Sequence, residues 1–346
     1  MNPHAKLITL TSLILGTTIT TSSNHWAMAW TGLEINTLAI IPMISKSHHP
    51  RAIEATIKYF LVQAAASATI LFSSTINAWT SGQWDITQLT NQTSCLLLTA
   101  AIAIKLGLTP FHFWFPEVLQ GSSLTTALLL STVMKLPPIS ILTLTSNSLN
   151  PHLLTTMAIA SAALGGWMGL NQTQTRKIMA FSSISHLGWM TIIIIYSPKL
   201  TTLTFLIYTI MTTSIFLSLN TSNTTKLSTL LTSWTKTPML NTTLMLTLLS
   251  LAGLPPFTGF LPKWLIIQEL TKQEMTPAAL TIALLSLLSL FFYLRLTYFS
   301  SITLPPNPAN QTKHWYTNKP TNTLIAALTP LSTMLLPLSP LIMTTI

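Results

Sequence analysis

Apolar stretches of about 18–25 residues, the length that crosses a bilayer as an α-helix, follow one another along nearly the whole chain. They are rich in Leu, Ile and Thr and lack the apolar/polar alternation of barrel strands, so the pattern predicts an all-α, polytopic transmembrane bundle. With Pro, Asn and charge as punctuation, about eleven helices are expected, at 3–22, 25–45, 53–79, 94–109, 122–145, 153–170, 175–196, 200–220, 239–258, 276–300 and 323–345. No connection is long enough for a soluble domain, which makes 1–346 a single transmembrane domain. Lys6 before an apolar run, with Ala27-Met28-Ala29 further on, has the outline of a cleavable leader. Apolar sequence resumes at once through Trp30 and Leu38, so the first run is expected to remain as a helix.

Composition agrees: 49% of residues are hydrophobic and only 6% charged, too few to cover a water-facing surface of this size. The net charge of +10 would suggest nucleic acid in a soluble protein, but here the cations mark orientation. Numbering the helices from the N-terminus puts Lys6, Lys46, Arg51, Arg176, Lys177, Lys226, Lys236, Lys313 and Lys319 on one side and only Lys199 and Lys272 on the other. That bias predicts a cytoplasm-like compartment at the N-terminus, and the odd helix count places the C-terminus opposite. Trp79, Trp84 and Trp315 fit an interfacial belt.

Lys58, Lys105, Lys135, Lys263 and Arg295 fall within the apolar stretches, as does Glu34. An unpaired ammonium near the bilayer centre costs roughly 2.5–3.5 kcal/mol, so stability does not explain keeping Lys105, Lys135 and Lys263. Such residues point to a path for protons or ions. Lys135 is the deepest, in mid-helix, and Pro137 and Pro138 behind it are expected to free the carbonyls of Val133 and Met134 one turn away. Glu34, three turns into the second helix, is a candidate partner for Lys105, and charge arriving elsewhere could pull such a pair apart. A static pair that only fastens helices is the alternative, as is a lysine that merely snorkels at a helix end.

Two segments repeat. Gly107-Leu108-Thr109-Pro110-Phe111 interrupts the fourth helix beside Lys105, and Gly253-Leu254-Pro255-Pro256-Phe257 interrupts the ninth before Lys263. The two lie five helices apart, an odd number, so the broken helices cross the membrane in opposite directions. Paired breaks of this kind predict inverted-topology repeats, here 1–145 (helices 1–5) and 150–300 (helices 6–10), with a C-terminal helix at 323–346. His112 after the first break and His186 in the seventh helix could relay protons. Glu117 has the position of a mouth residue on the Lys/Arg-rich side, or of an ordinary loop carboxylate.

Several chemistries are absent from the sequence. A single cysteine, Cys95, supplies neither a disulfide nor an iron–sulfur or zinc site, and no glycine-rich nucleotide loop or nucleophile elbow is present. The histidines are not spaced as stacked haem ligands, and His48-His49 falls in a connection. This chain alone is expected to bind no cofactor and break no bond.

The fourth helix with GLTPFHFWFPEV, the MKLPP stretch, QTQTRKIMAFSSISHLGWM and SLAGLPPFTGFLPKW closely resemble the antiporter-like membrane-arm subunits of NADH:ubiquinone oxidoreductase, respiratory complex I, in particular the mitochondrially encoded subunit 2 family. The resemblance covers essentially the whole chain. It implies a proton-pumping subunit of the mitochondrial inner membrane, with the N-terminus in the matrix and the C-terminus in the intermembrane space. It implies membrane-arm and accessory subunits and lipid as partners, no nucleic acid, and NADH, FMN, iron–sulfur clusters and ubiquinone held by other subunits. By the same resemblance Glu34 and Lys105 correspond to the family's glutamate–lysine pair, Lys135 to its central lysine and Lys263 to the lysine of the second broken helix. Longer members have three more helices at the start, so the first repeat is expected to be truncated relative to them. A stand-alone cation/proton antiporter and a non-conducting membrane scaffold are the two other readings.

Overall fold

A computed structural model describes residues 2–47, 49–234, 237–301 and 323–340. Lys236, His48, Lys313, Trp315, Lys319 and the end of the expected last helix lie outside the described residues. The described chain is helical, in the order α1 Pro3–Ser22, α2 Trp26–Ile44, α3 Pro50–Ser81, α4 Gln92–Leu106, α5 Trp114–Gly121, α6 Leu124–Ser131, α7 Leu136–Leu144, α8 Pro151–Gly169, α9 Thr175–Ile193, α10 Pro198–Ser222, α11 Leu227–Ser233, α12 Pro238–Ala252, α13 Phe260–Lys272, α14 Thr276–Ser301 and α15 Thr323–Met334. Each of the eleven expected spans contains a helix. Proline at the first helical position opens α1, α3, α8, α10 and α12, where a missing N–H costs nothing. Asn91 and Asn150 cap α4 and α8 by accepting from Thr93 and His152 N–H. Among the described residues five stretches are individually long and apolar enough to cross a membrane: Trp26–Ile44, Pro50–Ser81, Leu124–Leu144, Pro198–Ser222 and Thr276–Ser301. Their outward faces carry exposed Phe72, Leu206, Leu284 and Leu287, as suits lipid rather than water.

Polar contacts pin the two ends of the bundle. At one end the Arg176 guanidinium at the start of α9 donates to the carbonyl of Ser122, between α5 and α6. Thr175 N–H donates to Thr225 O at 3.1 Å and Leu227 N–H to Thr173 O at 3.1 Å, which brings in the turn after α10. Arg51, Lys58, Glu117 and Lys177 line one groove there. At the other end Trp26 N–H donates to Trp84 O at 3.1 Å, with His25 stacked on Trp84 at 5.6 Å. The basic residues Arg51, Arg176, Lys177 and Lys226 therefore share one end. The α4–α5 chain starts near the other end and finishes at the basic one.

Two helix hairpins pack through small residues, which lets backbones approach where no water is available to drive association. In the α1–α2 pair Gly16 faces Asn36 and Gly32 faces Thr20; in α8–α9 Gly165 faces Ser185 and Gly188 faces Ser161. After each hairpin comes a long proline-started helix, α3 or α10, and then a helix interrupted by a glycine–proline break. The short helix α11, between α10 and α12, has no counterpart between α3 and α4.

Candidate functional site

Both breaks begin with a left-handed glycine. Gly107 (φ 75°) ends α4 and Gly253 (φ 82°) ends α12, a conformation that side chains avoid and that turns the chain off the helix axis. Pro110 follows in the first break, Pro255 and Pro256 in the second, and these residues bring no donor for the helix-end carbonyls. In the first break Gly107 N–H still reaches Ile104 O at 3.2 Å, and at both breaks a side chain from the next half-helix adds a donor. Trp114 Nε1 of α5 donates to Ile104 O at 3.1 Å, and the Lys263 ammonium of α13 donates to Ala252 O at 2.7 Å. After each break the chain resumes as helix, in α5 and α13, as expected of two interrupted helices, although both resumed segments lie beyond the expected limits of 109 and 258.

Lys135 is buried, 3% exposed, at the seam of α6 and α7. The expected release of the Val133 carbonyl does not occur, because Leu136 N–H takes it in a short 3₁₀ turn over Val133–Lys135. That turn also sends Lys135 N–H to Thr132 O at 3.2 Å, which diverts it from the carbonyl of Ser131. Ser131 O instead accepts from the hydroxyl of Tyr208 at 3.4 Å. The Lys135 ammonium reaches the same hydroxyl at 3.5 Å and lies over the Phe115 ring at 4.7 Å.

Lys105, 6% exposed, has no hydrogen-bond partner for its ammonium. Glu34 Oε2 is likewise buried without a partner. The ion pairs among the described residues are Lys58 with Glu54 and Glu117, and Lys272 with Glu269, so the carboxylate of Glu34 and the ammonium of Lys105 are not in contact. They are close enough for the charge of Glu34 to act on Lys105 and on the buried Tyr59. Lys105, Lys135, Tyr59, Gln63 and Asn36 line one small cavity with room for a water molecule.

A second cavity of similar size is lined by His186, Thr204, Tyr208 and Lys263. Tyr208 thus borders it while its hydroxyl faces Lys135 of the first. The His186 ring lies 5.5 Å from the Tyr208 ring, and the Lys263 ammonium 5.9 Å from the Trp189 ring. The structure therefore brings Lys105, Lys135, His186 and Lys263 into one interior line, with Glu34 beside its first member. It does not bring in His112, which is buried with both ring nitrogens unpartnered but lines neither cavity. Glu117 stays apart too, paired with Lys58 at 2.7 Å in the groove at the basic end.

Sequence reasoning passed over Tyr208, Tyr59 and Gln63, and noted Lys58 without giving it a role. A tyrosine, glutamine or lysine within an apolar run is a legible sign, since each carries a polar group that needs a partner in lipid. Gly259 was also missed; any Cβ there would collide with the carbonyl of Ser250. Among the described residues no group of three or more His, Cys, Asp and Glu gathers, and buried Cys95 stands alone.

A family model described as NADH:quinone oxidoreductase/Mrp antiporter, TM, matches residues 23–289, and one described as NADH dehydrogenase subunit 2 C-terminus matches residues 290–343. The NADH-ubiquinone oxidoreductase chain 2 of Struthio camelus is 77% identical over 343 residues, covering 99% of each chain. The chain belongs to the NADH-ubiquinone oxidoreductase chain 2 family. Its chain 2 relative from Gallus gallus is 76% identical over 344 residues, again with 99% of each chain covered. The fold of this chain 2 family member is shared with a chain of respiratory complex I from Thermus thermophilus, at TM-score 0.84 and 24% identity over 97% of this chain and 80% of that one. It is also shared with a chain of the Mrp complex from Dietzia sp. DQ12-45-1b, at TM-score 0.76 and 18% identity over 85% of this chain and 60% of that one.

Proposed function

We propose that this chain is a core membrane-arm subunit of the proton-translocating NADH:ubiquinone oxidoreductase, complex I, and that Glu34, Lys105, Lys135 and Lys263 bind and release the protons it moves. The observation that carries the reading is the burial of Lys105 and Lys135 around one cavity with no carboxylate in contact. An ammonium held that way is worth its cost only if its proton comes and goes. His186 stands between Lys135 and Lys263 as a relay, and His112 and Glu117 are secondary candidates. The basic end faces the matrix, with the N-terminus there and the C-terminus in the intermembrane space of the mitochondrial inner membrane. Segments 1–145 and 150–300 act as two inverted repeats, each bent at its glycine–proline break, with the C-terminal helix 323–346 beside them.

Redox chemistry belongs to other subunits, which hold NADH, FMN, iron–sulfur clusters and ubiquinone; neighbouring membrane-arm subunits and lipid are this chain's partners. Charge reaching Glu34 from a neighbour changes the electrostatic environment of Lys105, and each later station responds to the charge of the one before it. Water bridges gaps too long for direct transfer. Lys135→Met tests this: the complex should assemble and oxidise NADH with an artificial acceptor as usual, while quinone-coupled turnover and proton pumping fall about tenfold or more. Normal pumping by the assembled variant would remove Lys135 from the mechanism.

A further inference from the structure

Tyr208 is among the largest fully buried side chains, on a helix otherwise facing its neighbours with apolar and hydroxyl residues. Its hydroxyl sits where the two cavities approach each other. On one side it takes the Lys135 ammonium at 3.5 Å and gives its own proton to Ser131 O at 3.4 Å. On the other its ring borders the cavity shared by His186 and Lys263. Ser131 O is available only because the 3₁₀ turn draws Lys135 N–H to Thr132 O. A group that is at once acceptor for a lysine and donor to a spare carbonyl has two resting directions for its proton.

We propose that Tyr208 is the proton relay between the two halves of this chain, carrying protons from Lys135 to the cavity of His186 and Lys263. The inference rests on the reading that Lys135 and Lys263 exchange protons. In the step, the Lys135 ammonium gives one proton to Tyr208 Oη while the hydroxyl's own proton passes to a water molecule in the second cavity. One N–H bond is lost at Lys135, one O–H bond forms and one breaks at Tyr208, and His186 or neutral Lys263 takes the proton from the water. Tyr208 stays neutral throughout, and nothing is oxidised or reduced. After the step the new tyrosine O–H points at the neutral lysine nitrogen, and its rotation onto Ser131 O hinders the reverse transfer and resets the relay for the next charged Lys135.

Tyr208→Phe removes the hydroxyl and keeps the ring against His186, Phe205 and the Lys135 ammonium. In inner-membrane vesicles the complex carrying it should assemble fully and reduce an artificial acceptor at the wild-type rate. Quinone-coupled turnover should fall about tenfold, fewer protons should move per NADH, and the ratio of rates in H₂O and D₂O should change. A merely structural tyrosine would leave protons per NADH and the isotope ratio untouched. Wild-type turnover and stoichiometry in Tyr208→Phe would overturn the proposal; if Lys135→Met is silent as well, the pumping role assigned to Lys135 falls with it. Should Tyr208→Phe fail to assemble, a high-resolution map of the wild-type complex decides instead. Ordered water within hydrogen-bond reach of both Tyr208 Oη and His186 supports the relay, and a dry gap refutes it.

Discussion

The three positive-φ glycines separate backbone strain from side-chain crowding. Gly82, Gly107 and Gly253 have φ of 72°, 75° and 82°, so alanine at each meets a similar penalty of about 1 kcal/mol. A Cβ at Gly82 meets nothing, and at Gly107 only ordinary contacts with Phe115 and Trp114. At Gly253 it would lie 2.8–2.9 Å from the end of the Lys263 side chain. That chain is flexible and can swing aside, so the added cost in stability is small, but the ammonium must leave Ala252 O. Gly253→Ala is therefore expected to lower quinone-coupled turnover several-fold in an assembled complex, with Gly82→Ala near normal and Gly107→Ala between them. Equal turnover in all three would mean that the position of Lys263 is immaterial.

Among the elements, the two hairpins depend on contacts between backbones. A Cβ on Gly188 would come within 2.7 Å of Ala158 O and 3.0 Å of Ala162 N, atoms that cannot move without shifting α8. Gly188→Ala should destabilise the α8–α9 pair by about 1–3 kcal/mol, seen as a lower melting temperature of the purified complex and less of it assembled. Gly82→Ala, in open space, should show neither effect.

The helices themselves were largely legible from hydropathy and punctuation: α1 runs over the expected 3–22, and α9 begins at the expected 175. What hydropathy missed was α5 and α13. Each follows a proline-rich break and carries another proline as its third residue, Pro116 or Pro262, which reads as continued loop although a proline in the first turn is compatible with a helix. The four charged candidates stood out in sequence because each is alone in apolar surroundings. Their arrangement in space was not legible, since Tyr208, which reaches Lys135 and borders the cavity of Lys263, lies on a helix more than seventy positions beyond Lys135. The pairing of Glu34 with Lys105 shows the converse: charge complementarity suggested contact, and the structure leaves both groups unpartnered.

For the whole molecule, the contacts that gather Arg51, Arg176, Lys177 and Lys226 at one end make a labelling prediction. A single cysteine at Lys177 should react with a membrane-impermeant thiol reagent only from the matrix side, and one at Asp85 only from the other, with buried Cys95 silent. Reactivity of both from one side would break the helix order and, with it, the opposed directions of the two broken helices.

Lys263 both carries charge and fastens the end of α12 to α13. A charged donor holds a carbonyl about twice as firmly as a neutral one. Each deprotonation of that amine would slacken the elbow it spans, and each recapture would tighten it. If Lys263 exchanges protons as proposed, ionisation and bending would be geared together at a single atom, and the second broken helix would convert an electrical event into a mechanical one without any additional moving part.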